Sequence, residues 1–244
     1  MKRSIFCLLV MAGLIMAGVP AIAMDMEFSA SLDAYSSYIW RGFRLSEEAL
    51  QWQPSVTMTL CGFSANVWAE YDTDSDEWLE VDYTAAYARS FDRLSLEIGY
   101  SHFDVRNGID SDEAYLTAAY DCLLNPHATV YADVNEGTGV FLVAGIGHSI
   151  ELTSWAGLDL GASASMIADN GYVATDAAGN EFTGLFNGEV TVTGIVTPVD
   201  WLTVSPVLGY TMALSDDASD AIKRTNSDGD DSFLYGGVNM TIVL

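Results

Sequence analysis

The chain has 244 residues, half of them apolar, and carries 34 acidic residues against 9 basic ones for a formal net charge of −25. A surface this acidic repels a phosphate backbone, which excludes nucleic-acid binding as a function class. Beyond residue 23 no run approaches the roughly 18 unbroken apolar residues of a spanning helix, so if the chain sits in a membrane it must cross as strands.

The first element is a leader. Lys2 and Arg3 precede an apolar stretch over residues 5–19 and the small-residue site Ala21-Ile22-Ala23, the layout of a secretory signal cleaved after Ala23. An uncleaved anchor is the rival reading; the small-residue site argues for removal. Residues 1–23 are thus expected to be a signal peptide and residues 24–244 one outer-membrane β-barrel domain, within the usual size range of a single all-β barrel. Cys7 lies inside the apolar stretch, away from the junction. Cys61 and Cys122 fall at the ends of two separate strands, too far apart for a bridge to be expected.

Twelve runs of alternating apolar and polar residues follow, at the period of strands. In the first, residues 27–37, Phe28, Ala30, Leu32 and Ala34 alternate with Glu27, Ser29, Ser31, Asp33 and Tyr35. A long connection over residues 38–51 leads to the second run, where Trp52, Val56, Met58 and Leu60 alternate with Gln53, Ser55, Thr57 and Thr59, and Cys61-Gly62 makes a hairpin turn. The third sets Val67 and Ala69 against Asn66, Trp68 and Glu70; the fourth sets Val81 and Tyr83 against Glu80 and Asp82; the fifth sets Ile98 and Tyr100 against Glu97 and Gly99. Runs six to twelve cover residues 113–120, 127–134, 140–150, 155–167, 185–197, 201–212 and 233–244. The gaps alternate between short turns and longer polar connections, the longest being residues 168–182 and 215–231, both read as loops. An even number of strands joined this way predicts an all-β, transmembrane, up-and-down antiparallel β-barrel of about 12 strands, with both termini on the periplasmic side.

Alternation alone does not say which face is wet. Water-facing strands usually carry lysines, yet the only lysines are Lys2 and Lys223. The polar faces hold Ser, Thr, Gly, Ala and acids, which suit a confined lumen, and the Val, Leu, Ile and Ala faces then meet lipid. Tyr38, Trp40, Trp52, Tyr71 and Trp78 sit beside long connections and Phe63, Phe91 and Trp201 beside short turns, as two interfacial aromatic belts require.

The segment Ser37-Tyr38-Ile39-Trp40-Arg41-Gly42-Phe43-Arg44-Leu45-Ser46, followed by Gln53-Pro54, resembles the start of the TorF-related porin family of bacterial outer membranes. The resemblance continues through Gly62-Phe63, Val67-Trp68, Leu79-Glu80-Val81-Asp82-Tyr83 and Ile98-Gly99-Tyr100, roughly the first half of the exported chain. It implies an outer-membrane barrel with a pore and no defined substrate. Arg44 departs from the small or polar residue of the family pattern, and the chain finishes on Leu244 where such barrels often finish on an aromatic residue.

With apolar faces outward, Glu27, Asp33, Glu70, Glu80, Asp82, Glu97, Asp133, Asp159 and Glu189 line the lumen, with no strand Lys or Arg clearly opposing them. Such a field favours entry of cations. Arg41 and Arg44 are the candidate counter-charges; Arg41 is either held across a constriction from Glu70, Glu80 or Asp82, or stands at the rim against lipid phosphate. The acidic loop Asn226-Ser227-Asp228-Gly229-Asp230-Asp231 lacks the spaced Glu of a calcium loop and reads as a solvated connection. The adjacent pairs Ser101-His102 and His148-Ser149 point to opposite faces of a strand, which prevents the Ser-to-His hydrogen bond of a nucleophile. The reading therefore assigns no catalytic residue, metal or cofactor. The partners expected are outer-membrane lipid and lipopolysaccharide, the barrel-insertion machinery and small solutes or cations; oligomeric state is not legible. Two functions stand: a narrow, cation-preferring diffusion channel, or a non-conducting structural or adhesive barrel acting through its acidic loops.

Overall fold

A computed structural model describes residues 26–46, 49–137, 139–226 and 228–244; the leader expected over residues 1–23 lies outside them. The strands are β1 (Met26–Tyr35), β2 (Ile39–Trp40), β3 (Phe43–Arg44), β4 (Gln51–Leu60), β5 (Phe63–Asp72), β6 (Glu77–Phe91), β7 (Leu94–Val105), β8 (Ser111–Tyr120), β9 (His127–Asp133), β10 (Val140–Thr153), β11 (Ala156–Thr175), β12 (Glu181–Val199), β13 (Leu202–Ala213) and β14 (Ser232–Val243), with one helix, α1 (Asp216–Thr225). Among the described residues, β1 and β4 to β14 make a closed barrel of twelve antiparallel strands. It is sealed by β1 against β14, from Ser29 opposite Val243 to Tyr35 opposite Gly237. Closure leaves no sheet edge with unpaired backbone groups.

Cross-strand rows show how the alternation is used. Ile98, Leu116, Val130 and Leu142 lie side by side on β7 to β10 and face outward. One residue along, Glu97, Thr117, Thr129 and Val143 form the matching inward row, and the hydroxyls of Thr117 and Thr129 are 2.9 Å apart. Phe63, Ile98, Leu116, Leu208 and Leu234 are all more than half exposed, whereas Glu70 and Glu113 are buried. The barrel is therefore apolar outside and polar inside, the reverse of a water-soluble barrel. Cys61 and Cys122 are exposed and unbridged. The Cys61-Gly62 turn has φ of 51° and 86°, a pair of left-handed positions that suits the twist of a two-residue hairpin.

Three connections differ from the sequence expectation. Most of residues 168–182 is strand: β11 and β12 run past the barrel wall and leave a turn of only residues 176–180. Register shifts at Ala164/Met166 and Ile167/Asn170 bend this hairpin, which is what bulges do. The 215–231 connection contains α1, capped by the Ser215 hydroxyl, which accepts from the Ala218 amide. Asp216 and Asp217 in its first turn and Lys223 and Arg224 in its last complement the helix dipole. Finally, the 38–51 connection is not a plain loop: β2 and β3 form a two-stranded hairpin of their own.

The hairpin and helix explain a feature the outward-apolar pattern does not contain. Phe43, Phe141, Ile167, Phe182, Phe186 and Ile222 form a buried apolar cluster, joined by Val173, Ala174, Ala218 and Ala221. It gathers the hairpin, α1 and the β10–β12 wall. Buried Ala218, Ala221 and Ile222 sit three and four residues apart, on one face of α1. The β11–β12 extension and α1 are further tied by Arg224 Nη2, which donates to the Thr175 carbonyl at 2.6 Å.

Candidate functional site: the lumen and its inward hairpin

The hairpin turns on Arg41 and Gly42, with φ of 51° and 88°, again a left-handed pair that glycine adopts without strain. A Cβ on Gly42 would also lie 2.8 Å from that of Asn187, so the turn is pressed against β12. Tyr38 anchors the entry strand: its hydroxyl donates to Glu80 at 2.8 Å, and its amide donates to Ser46 Oγ at 2.8 Å. Phe43 packs on Phe186 with ring centroids 5.3 Å apart. Arg44 is buried, bonds to Asp228 and stacks 4.4 Å from the Phe233 ring, and its amide donates to Asn226 Oδ1 at 2.9 Å.

Arg41 lies at the tip, inside the barrel. Its Nη1 and Nη2 donate to Glu113 Oε1 and Oε2 at 2.7 and 2.5 Å, a two-pronged charged pair. Its Cζ is 4.6, 4.8 and 4.4 Å from the ring centroids of Trp40, Tyr131 and Phe141, within the range of cation–π attraction. Both side chains are buried, 8% and 2% exposed. The sequence offered Glu70, Glu80 and Asp82 as Arg41's partners; the structure pairs it with Glu113 instead, because the hairpin carries its tip across to β8. Arg44 likewise meets a loop carboxylate and an aromatic face.

The nine acids assigned to the lumen separate by height and surroundings. Glu27 is exposed, at the start of β1 opposite Thr59 of β4. Glu70 and Glu80 are cross-strand partners on β5 and β6, with Asp82 two residues on, and Glu113 pairs with Asp133 across β8 and β9. These five groups form an acidic arc on one side of the lumen. The apolar cluster occupies the other side. One oxygen of Asp82 and one of Asp133 are buried without a hydrogen-bond partner in the described structure. Asp33 bonds to the Asn239 amide, and Glu97 accepts from the Tyr115 hydroxyl at 2.9 Å. Asp159 lies between Ser149 and Thr193 on neighbouring strands.

Glycines opposite tyrosines shape the wall. A Cβ on Gly99 would lie 2.3 Å from the Tyr115 ring; Gly209 with Tyr235 and Gly237 with Tyr35 repeat the arrangement at 2.2 and 2.3 Å. Each tyrosine thus lies flat over a glycine on the next strand and leaves the lumen unfilled. Two cavities result, of about 500 and 280 Å³. Arg41 and Glu189 line both, so the guanidinium stands where they meet.

Sequence reasoning missed Glu113, Tyr131 and Phe141. Glu113 could have been placed by parity, since Ala114, Leu116 and Ala118 take the outward face. Phe141 could not, because an apolar residue facing inward contradicts the alternation rule.

The adjacent pair Ser101 and His102 points as expected to opposite faces: Ser101 Oγ is 2.8 Å from Thr84 Oγ1, and His102 Nδ1 is 2.9 Å from Asp112. Loop acids are engaged locally. Asp176 accepts from the Ala178 and Asn180 amides and the Asn180 side chain, which holds its carboxyl below the usual range. Asp231 is held low by the Ser219 hydroxyl and by Lys223, and Lys223 is raised in turn by Asp231.

No protein-family model matches the chain, and no curated protein matches it. Solved structures do. The NanC porin superposes with a TM-score of 0.56 at 10% identity, over 88% of this chain and 98% of that one. An outer membrane channel from Pseudomonas putida F1 superposes with a TM-score of 0.50 at 10% identity, over 93% of this chain and all of that one. At such identity the likeness establishes the fold: a barrel of the outer-membrane kind.

Proposed function

We propose that the chain is a porin-like channel of a bacterial outer membrane, exported under the direction of residues 1–23, through which small solutes diffuse passively with a preference for cations. The observation that carries this reading is the pair of cavities inside the barrel, meeting at Arg41 and bordered by the carboxylates Asp33, Glu97, Glu113 and Glu189. The one arginine at their junction is neutralised by Glu113, so the remaining carboxylates set the sign of the field, and a low-dielectric wall focuses it. The apolar exterior supplies the membrane half of the argument. The solved porin and channel barrels that share the fold are consistent with it.

The second reading is a non-conducting barrel acting through its surface loops. Its support is the apolar cluster of hairpin and α1 filling one side of the lumen. Conductance of the purified protein in planar bilayers separates the two: discrete steps with cation-selective reversal potentials are expected, and a silent bilayer with correctly folded protein selects the structural barrel.

A further inference from the structure

The surroundings of Arg41 are those of a bound ligand. Its guanidinium is gripped by both oxygens of one carboxylate and enclosed by three aromatic faces, which is how proteins recognise a planar cation. Three of the four enclosing groups belong to the barrel wall: Glu113 on β8, Tyr131 on β9 and Phe141 on β10. All three strands are part of the barrel's continuous hydrogen-bonded ladder. Arg41 itself rides on a hairpin of only two residue pairs, outside the barrel's hydrogen-bonded ladder. The 500 Å³ cavity opens directly onto this seat, for the same four groups and Arg41 line it.

We propose that Glu113, Tyr131 and Phe141 form a binding seat in the lumen for solutes bearing a guanidinium group, which Arg41 fills as a tethered ligand until such a solute takes its place. The inference deepens the channel reading by giving its path a solute class, and it rests on the lumen being open to solutes. A bare ammonium fits less well, since it cannot present two parallel N–H bonds to one carboxylate while lying flat between rings. Because Arg41 occupies the seat intramolecularly, a free solute competes with it and binds more weakly than to a seat from which the Arg41 side chain has been removed.

Calorimetry on the refolded barrel in detergent tests the seat without requiring conductance. Arg41→Ser is expected to bind methylguanidinium about tenfold more tightly than methylammonium, and Arg41→Ser/Glu113→Gln to lose that preference. The wild type is expected to bind methylguanidinium about tenfold more weakly than Arg41→Ser, by the tether's competition. Equal affinities for the two cations, a preference that survives the double substitution, or no binding at all to the wild type overturns the proposal. If Arg41→Ser does not fold, the wild type still decides: argininamide should block its current at lower concentration than lysinamide, and equal block refutes the seat. Binding without conductance refutes the channel and keeps the seat; conductance without binding refutes the seat alone.

Discussion

At the scale of single residues, the wall is governed by what each position must face. Gly99 has no side chain because the Tyr115 ring occupies that space, with the ring 2.3 Å from where a Cβ would stand. Gly99→Val should therefore displace Tyr115 from Glu97 and cost about 1–3 kcal/mol by overpacking. Gly147→Ala is the control, since its Cβ would meet nothing nearer than 3.6 Å. Urea titration of the folded barrel in lipid should separate the two, and equal destabilisation would refute the fitted-ring account. On the opposite face, Val130→Arg or Leu158→Arg puts a charge against lipid and should cost about 2–4 kcal/mol near the midplane. Heat-modifiable gel migration should report this loss, and Glu97→Gln, on the lumen side, should fold normally by the same measure.

At the scale of elements, two insertions give this barrel its character. The β2–β3 hairpin narrows the lumen by carrying Arg41 to Glu113, so replacing residues 39–44 with a Gly-Ser linker of equal length should raise single-channel conductance severalfold. An unchanged conductance would show that the hairpin does not limit the path. The α1 segment closes the same end, held by Arg224 on Thr175, by Lys223 on Asp231 at 2.9 Å, and by the apolar face of Ala218, Ala221 and Ile222. Asp231 and the nearby turn residue Asp176 are held below the ordinary carboxylate range. Their contribution is therefore complete above roughly pH 4 to 5 and is lost as pH falls through the lowered values. Lys223, raised by its partner, contributes below its ordinary value of about 10.4 and loses that contribution only above it. Hydrogen exchange of residues 216–225 should stay flat from about pH 5 to 9, after correction for intrinsic rates, and its protection should weaken on acidification below about pH 4. Weakening instead near pH 7 would refute the assignment.

At the scale of the molecule, strand parity puts both ends of the chain beside the short turns, because β1 and β14 pair antiparallel in a barrel of twelve strands. With the termini on the periplasmic side, as we propose, the longer connections with the hairpin and α1 are expected to face outward from the cell. Protease added to whole cells should cut at residues 176–180 and spare the turn at residues 200–201; the opposite pattern would invert the orientation. The lumen's charge is likewise a property of the whole. Exchanging Asp33, Glu97 and Glu189 together for neutral amides should shift the reversal potential in a salt gradient toward zero selectivity, because these three border the cavities and lack an arginine partner in the described structure.

The number of barrel strands and their alternation were legible in the sequence because they are local: side chains alternate with period two, and a one-residue slip would invert every strand. The hairpin turn at Cys61-Gly62 was legible for the same reason. The α1 helix was not, since its apolar residues are only Ala218, Ala221 and Ile222 amid acids, and their burial depends on a wall built by other strands. The extension of β11 and β12 through Gly, Asp and Asn residues was hidden by their low strand propensity, which packing against Phe43 and α1 overrides. The pairing of Arg41 with Glu113 spans 72 residues. Sequence by itself determined a barrel with inward acids and left Arg41 open between a lumen carboxylate and the rim; only closure of the barrel decided, because the curvature of β8 to β10 brings Glu113, Tyr131 and Phe141 around the single point that a two-residue turn can reach.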